Sequence, residues 1–169
     1  MQKALNIANY FVQKSFESGI SVTPMQLLKL TYIAHGWHLG IFGKDLITEP
    51  VQAWQYGPVI NSVYQQFKVY KNNPVEELAF SGEETEASFY QINDSNLIPF
   101  LDKIWDSYGH FTGIKLSAMT HEEGTPWDIV WNRNGGKYSK NAIIPNHLIK
   151  EHYIQKINAA RKSREVVEA

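Results

Sequence analysis

Cysteine is missing from all 169 positions of the chain. Without thiols there is no disulfide framework, no thiolate metal site and no cysteine nucleophile, and the composition fits a reducing compartment. Hydrophobic residues nevertheless make up 43% of the chain, which is enough for a real core. Single domains commonly run to roughly 100–200 residues. We therefore expect residues 1–169 to form one domain that needs no covalent or metal support.

A strong excess of either charge is also missing, because 16 basic and 17 acidic side chains leave a formal net charge of −1. Domains built wholly for nucleic acid are usually strongly basic, so such a surface is not expected. Acidic side chains crowd residues 76–86 and basic ones crowd residues 150–164. We interpret them as a solvated acidic loop and a solvated helix face. A basic tail that meets an acidic partner or a nucleic acid stays open as an alternative.

Long uninterrupted apolar runs are absent as well. The most apolar stretch, residues 24–42, is broken by Gln26, Lys29, His35 and His38. A membrane span needs ~20 predominantly apolar residues, so this stretch predicts a buried helix instead. The N-terminus lacks the apolar core and the small-residue cleavage site of an export signal. We expect a cytoplasmic protein that has no contact with a membrane.

Helix signals cover most of the chain. An apolar pattern over residues 4–16 predicts a helix that ends near Gly19, with this glycine as its C-terminal cap. Thr23 and Pro24 combine an N-cap with a proline at the first helical position, and they predict a helix to about Ile41 that is packed on all sides. Caps and apolar spacing predict further helices over residues 59–70, 94–108, 112–119, 125–131 and 145–165.

Two segments do not follow the helical pattern. Residues 46–56 hold β-branched and aromatic residues in partial alternation around Pro50, which predicts a short hairpin or two extended pieces. The pair Gly57-Pro58 predicts a turn that starts the next helix. Residues 72–93, with an extended-looking stretch at 88–92, predict an irregular excursion. The predicted fold class is mainly α: a single compact helical domain with a small β-hairpin or short extended element.

Three blocks of sequence occur in a recognisable order. They are TPMQLLKLTYIAHGWHL at residues 23–39, EPVQAWQYGPVI at 49–60 followed by SVY at 62–64, and LSAMTH at 116–121 closing on Pro126 and Trp127. Together they resemble the Panacea domain, found in SocA-like antitoxins and in a class of phage-associated proteins. The blocks span most of residues 4–131, which leaves 132–169 as a C-terminal helical extension. Thr31 departs from the family pattern, which usually has an apolar residue there.

The resemblance implies a mostly α-helical domain that belongs to a toxin–antitoxin system and blocks its toxin by direct protein binding. It also implies that relatives pair with unrelated toxins, and that some act as adaptors that hand the toxin to a protease. We therefore predict a non-catalytic antitoxin whose partner is a cognate protein toxin encoded next door. A protease adaptor, with a protease as second partner, is the first alternative, and a nucleic-acid partner is not expected.

The residues able to carry chemistry favour structural roles. His35 and His38 share one helix face and could bind a metal together with His121 from another helix. The spacing is not that of a His-Glu-x-x-His site and no third ligand is fixed, so a metal-dependent enzyme is only the last alternative. Ser117 and Thr120 lie close to His121 in the sequence, but the strand-turn-helix nucleophile elbow of a serine hydrolase is absent, so nucleophilic catalysis is not expected. The carboxylates at 83–86 lie in a loop unsuited to acid–base work. We predict no catalytic residue, no metal site and no cofactor.

Aromatic residues around one turn predict the partner site. Trp and Tyr are over-represented at interface hot spots, and turns tend to reach the surface. The predicted contact residues are Trp54, Gln55, Tyr56, Gly57, Pro58, Asn61, Tyr64 and Gln65. Large aromatics also dominate cores. The other residues of the family blocks are therefore predicted to be structural, namely Trp37, His38, His121, Pro126 and Trp127. The irregular segment 72–93 is a second hypothesis, for partner choice.

Overall fold

A computed structural model describes residues 1–82 and 89–168 of the chain. Its regular elements are, in order, α1 (Ala4–Ser18), α2 (Pro24–Phe42), β1 (Val51–Trp54), β2 (Gly57–Val59), α3 (Asn61–Phe67), α4 (Ile98–Tyr108), α5 (Gly113–His121), α6 (Pro126–Asp128), β3 (Ile143–Ile144) and α7 (Asn146–Glu168). Short 3₁₀ turns follow α3, precede α4 and precede β3, and a π-helical turn over Ile129–Arg133 continues α6. The predicted mainly α class with a small extended element is confirmed.

Helix α2 lies at the centre and contacts α1, α4, α5, α7 and the sheet. It begins with a full capping box, in which Thr23 Oγ1 accepts from the Gln26 backbone N–H and the Gln26 side chain accepts from the Thr23 backbone N–H. This capping box confirms the predicted start of α2 at Thr23-Pro24. Because α2 is apolar on most sides, it can be buried on most sides. Thr31, the departure from the family pattern, is buried and donates its hydroxyl to Leu27 O at 2.7 Å.

Helix α7 crosses α2 at very short range. A Cβ atom placed on Gly36 would lie 2.1 Å from Tyr153 Cε2, and one on Gly40 would lie 2.8 Å from Tyr153 Cβ. Only glycine at these positions lets the two backbones approach so closely. The Trp37 ring packs edge-on against Tyr153, with centroids 5.1 Å apart. Beyond this contact, residues 158–168 of α7 are exposed, and the helix continues to Glu168 rather than fraying near Glu165.

The three strands form one antiparallel sheet in the order β2-β1-β3, with Trp54 opposite Gly57 in the first pair and Val51 opposite Ile144 in the second. The predicted hairpin is present, but its turn is Gln55-Tyr56. Gly57 and Pro58 lie in β2, so the prediction that they form the turn and start the helix is wrong. Proline is tolerated there because β2 is an edge strand. Strand β3 was not predicted, since two isoleucines are too short to show a period.

Asn9 of α1 holds the irregular segment that follows α3. Its side-chain amide donates to Ala79 O at 2.9 Å and to Tyr90 O at 3.0 Å, and its Oδ1 accepts from the Ala79 backbone N–H at 2.7 Å. The described part of 72–93 contains no helix or ladder, only an isolated bridge between Phe80 and Phe89. The acidic residues 83–86, and Ser88 of the expected extended stretch, lie outside the described residues.

Within residues 1–82 and 89–168, no helix is long and apolar enough to cross a bilayer. Helix α2 has the length but carries Gln26, Lys29 and two histidines. The exposed end of α7 is rich in charge.

Candidate partner-binding site

The hairpin turn between β1 and β2 carries two exposed residues of the predicted partner site. Tyr56 is 65% exposed, and Gln55 beside it is also exposed. Gly57 and Pro58 are buried beneath them. The two residues of the turn can therefore contact another molecule directly, whereas Gly57 and Pro58 shape the backbone that presents them.

Lys29 of α2 lies under this turn and holds it from below. Its Nζ donates to Tyr56 O at 2.8 Å and to Pro58 O at 3.0 Å. Gly57, between the two acceptors, has a φ of +107°, and a Cβ there would lie 2.7 Å from Nζ. The backbone conformation therefore favours glycine, and the missing Cβ also leaves room for the ammonium group at this distance. The bond to Pro58 also occupies a carbonyl of the edge strand β2, which would otherwise be open to a further strand.

Lys29 is unusually buried for a lysine, since only 2% of its surface is exposed. No carboxylate in the part of the chain that the structure describes forms an ion pair with it. Burial disfavours the charged form and lowers the pKa of Lys29 to about 7. The two carbonyl acceptors offset part of the cost of taking an ammonium group out of water.

Two further buried side chains hold the same turn from other helices. Ser117 Oγ of α5 donates to Tyr56 O at 2.9 Å, and Trp127 Nε1 of α6 donates to Trp54 O at 2.6 Å. The three sequence blocks of the family resemblance therefore meet in space, since Lys29, the hairpin, and Ser117 with Trp127 come one from each. Such bracing leaves the turn backbone with little conformational freedom.

A groove of about 450 Å³ opens beside the turn, between α2, the hairpin and α3. Its apolar lining is contributed by Pro24, Met25, Leu28, Trp54, Val59 and Tyr64. Its other described lining residues are Lys29, Gln55, Tyr56, Lys68, Lys71 and Asn72. Mostly apolar concave surfaces with a few polar groups are the usual form of a binding site.

The predicted partner residues on α3 divide between the groove and the neighbouring surface. Tyr64 packs edge-on against Trp54 with ring centroids 4.8 Å apart, and both rings are half-buried at the groove wall. Asn61 and Gln65 do not line the groove. They are exposed one helical turn apart, and the Gln65 amide donates to Asn61 Oδ1 at 3.3 Å. The structure thus brings Trp54, Gln55, Tyr56 and Tyr64 together at the groove. Asn61 and Gln65 lie on the exposed surface of α3 beside it.

The remaining residues of the family blocks make internal contacts. Trp37 Nε1 donates to Tyr108 Oη at 2.9 Å, and His38 Nδ1 donates to Lys44 O at 2.7 Å. The half-buried His121 ring packs against buried Trp127, with centroids 5.3 Å apart. Pro126, at the start of α6, is buried. These contacts join elements of the fold to one another.

The three histidines that could have shared a metal are engaged separately. His35 is fully buried, its Nδ1 accepts from the Leu46 backbone N–H at 3.3 Å, and its Nε2 lies 3.1 Å from Asn146 Oδ1. These partners require a neutral ring that is protonated at Nε2, and burial lowers the pKa of His35 accordingly. Neither nitrogen of His35 is free to bind a metal. Among the described residues no group of three His, Asp or Glu side chains is placed to hold one.

The hydroxyl groups near His121 are also committed to the backbone. Ser117 Oγ lies 3.4 Å from His121 Nδ1, but its proton is directed at Tyr56 O. Thr120 Oγ1 lies 3.0 Å from both Leu116 O and Ser117 O within α5. In this arrangement the hydroxyls stabilise the turn and the helix.

Three lysines of the site were not predicted from the sequence. Lys29 appeared only as an interruption of an apolar helix, and Lys68 and Lys71 were not singled out at all. One signal for Lys29 was available, because a charged residue in a helix that is packed all round must find buried partners. No sequence signal places Lys68 or Lys71 beside α2, since that depends on how α3 packs.

Comparison with known proteins adds three findings. The family model described as "Antitoxin SocA-like, Panacea domain" matches residues 27–128. Antitoxin SocA of Caulobacter vibrioides (strain NA1000 / CB15N) is 27% identical over 160 residues, which cover 91% of this chain and 84% of that protein. No solved structure matches. The range of the family match contains the hairpin, α3 and all three side chains that hold the turn.

Proposed function

Because the chain belongs to the SocA-like antitoxin family with a Panacea domain, we propose that it neutralises a protein toxin by binding it directly. The contact surface is the hairpin turn, the groove beside it and the exposed face of α3. The toxin is a protein encoded by a neighbouring gene. The domain that does this comprises residues 1–169, with α7 packed on α2 as part of it.

The observation that carries this proposal is the braced turn. Three buried donors, from Lys29, Ser117 and Trp127, hold the carbonyls of a turn whose own side chains are exposed. A surface that is already rigid loses little entropy when it binds, which raises affinity without additional contacts. Exposed Tyr56 and half-buried Trp54 belong to the residue types that contribute most at protein interfaces.

The expected mode of action is stoichiometric blocking rather than catalysis. The hydroxyl and imidazole groups closest to the turn, those of Ser117, Thr120 and His121, lie against backbone and ring partners. A stable protein interface buries roughly 1,600 Å² in total and uses about 20–30 residues of each partner, which is more than the twelve described residues that line the groove. The contact therefore extends from the groove onto α3, where Asn61 and Gln65 are exposed.

A growth assay combined with complex isolation tests the proposal. The neighbouring gene is expressed under tight control, with and without this protein, and the pair is then purified through a tag on the antitoxin. We expect relief of toxicity together with a stable complex. Relief with disappearance of the toxin and no complex would instead favour an adaptor that delivers the toxin to a protease.

The location of the contact is tested with matched tyrosine substitutions. Tyr56→Ala removes an exposed ring from the turn, and Tyr138→Ala removes an exposed ring that is not part of the groove. We expect Tyr56→Ala to weaken the complex about 30-fold, as for a hot-spot residue worth about 2 kcal/mol, and Tyr138→Ala to leave it unchanged. Equal affinities for both variants and the wild type would place the toxin elsewhere. Asn61→Ala with Gln65→Ala then measures the share of α3.

A further inference from the structure

The charged groups in the groove are all of one sign. Lys68 and Lys71 lie at its rim and Lys29 lies at its base. The described residues that line it include no aspartate or glutamate. This differs from the chain as a whole, where basic and acidic residues nearly balance. A concave surface with charge of one sign attracts a partner of the opposite charge.

The rim lysines are held on one short turn that follows α3. The Lys71 backbone N–H donates to Lys68 O at 3.0 Å, which fixes the spacing of the two residues. Lys68 Nζ lies 5.9 Å from the centre of the Tyr64 ring and donates to the Gln65 side chain. The Lys68 ammonium group therefore lies close to the Tyr64 ring, which forms part of the groove wall. Neither rim lysine forms an ion pair with a described carboxylate.

Lys29, at the base of the groove, also has no carboxylate partner among the described residues. Both hydrogen bonds of Lys29 Nζ go to neutral carbonyls, and no carboxylate of the described residues compensates the charge. A buried charge without a counterion is costly, and an arriving anion reduces that cost. Burial of Lys29 and its lowered pKa are consistent with a site that lacks a counterion in the free protein.

The apolar lining of the groove indicates that its ligand has an apolar group in addition to a negative charge. Met25 and Leu28 of α2 face the groove opposite Trp54 and Tyr64. Methionine adapts to irregular partners, and aromatic rings accept a large apolar group edge-on or face-on. A large apolar or aromatic side chain is the group that such walls fit.

We propose that the groove binds a toxin segment in which a large apolar or aromatic side chain is followed closely by a carboxylate. The apolar group fills the space between α2 and the hairpin, and the carboxylate lies between Lys68 and Lys71 above Lys29. The inference rests on the proposed function for the identity of the partner. A nucleic acid is the less suitable occupant, because backbone recognition uses a longer positive path than three lysines on a chain of net charge −1.

A pair of small probes tests the groove without the toxin. The ¹⁵N-labelled full chain is titrated with N-acetyltryptophan, which carries a carboxylate, and with N-acetyltryptophan amide, which does not. We expect the carboxylate to bind about tenfold more tightly, as one charge-assisted contact provides. The backbone amide signals of Lys29, Gln55, Tyr56 and Lys68 should shift. Equal affinities, shifts elsewhere or no binding of either compound would overturn the inference, and so would a stronger response of the same signals to octauridylate.

Two charge-reversal variants show whether the rim lysines are responsible. Lys68→Glu with Lys71→Glu removes the positive rim, and Lys137→Glu with Lys140→Glu makes the same change in net charge outside the groove. All four lysines are exposed, so both variants should fold, which circular dichroism checks. We expect the first to abolish the preference for the carboxylate probe and the second to retain it. Retention by both would overturn the inference.

The same variants separate this inference from the proposed function. If the toxin binds through the groove, its complex should weaken in Lys68→Glu with Lys71→Glu and in Tyr56→Ala. A carboxylate preference in the groove with a toxin complex insensitive to Tyr56→Ala would refute the proposed contact surface and leave the chemistry of the groove established. A toxin complex that needs Tyr56 but tolerates the loss of both rim lysines would refute the acidic segment and leave the contact surface intact.

Discussion

Replacing Lys29 by methionine should change how the stability of the protein depends on pH. Methionine keeps about the length of the aliphatic part of lysine and removes the charge and both hydrogen bonds to the turn. The pKa of Lys29 falls from 10.5 to about 7 in the folded protein because of burial. Between these two values the unfolded chain binds a proton that the folded chain has lost, so stability rises with pH.

The size of the effect follows from the difference in bound protons. Below pH 7 the full shift acts against folding and corresponds to about 5 kcal/mol, at about 1.4 kcal/mol for each pH unit of displacement. From pH 7 to pH 9 about half of this penalty is relieved. The unfolding free energy of the wild type should therefore increase by about 2 kcal/mol relative to Lys29→Met over that interval.

Urea unfolding at pH 7, 8 and 9, followed by tryptophan fluorescence and circular dichroism, measures this difference. Lys14→Met is the control: the hydrogen bond with Asp102 raises the pKa of Lys14 in the folded protein above its ordinary value of 10.5. Because both values lie above pH 9, Lys14 is protonated over the whole interval in the folded and in the unfolded chain. Its difference from the wild type should not change with pH. A constant difference for Lys29→Met as well would refute the reasoning, since it would mean that the Lys29 ammonium group remains charged in the folded protein.

Two further substitutions test the packing around α2. Gly36→Ala should lower the unfolding free energy by about 2 kcal/mol, because overpacking against the buried Tyr153 ring outweighs the roughly 1 kcal/mol that alanine gains in a helix. In a Tyr153→Ala background the same change should become stabilising, and a stabilising effect in the wild type would disprove the close crossing. Tyr32→Phe should raise the unfolding free energy by about 1 kcal/mol in urea titrations, because the Tyr32 hydroxyl is buried with no hydrogen-bond partner among the described residues. A clear loss of stability would show that this hydroxyl has a partner.

Helix boundaries followed from local chemistry and were therefore open to prediction. The caps at Thr23, Thr112 and Thr125 each accept from a backbone N–H three residues later, as their sequence context indicates. Gly19 ends α1 in the left-handed conformation. The turn of the hairpin was misplaced, because Gly57 and Pro58 are common turn residues. In the fold, glycine at position 57 serves the approach of Lys29 instead.

By itself, the sequence determined the helical class, the family and the aromatic residues beside the hairpin turn, because caps, apolar spacing and ordered motifs are all local patterns. The tertiary structure alone decided that Lys29 lies under Tyr56, that Ser117 and Trp127 reach the same turn, and that Lys68 and Lys71 complete the rim of the groove. These contacts join residues up to 73 positions apart in the chain. Their geometry depends on how α2, α3, α5 and α6 pack together, and packing of distant segments leaves no periodic trace in the sequence.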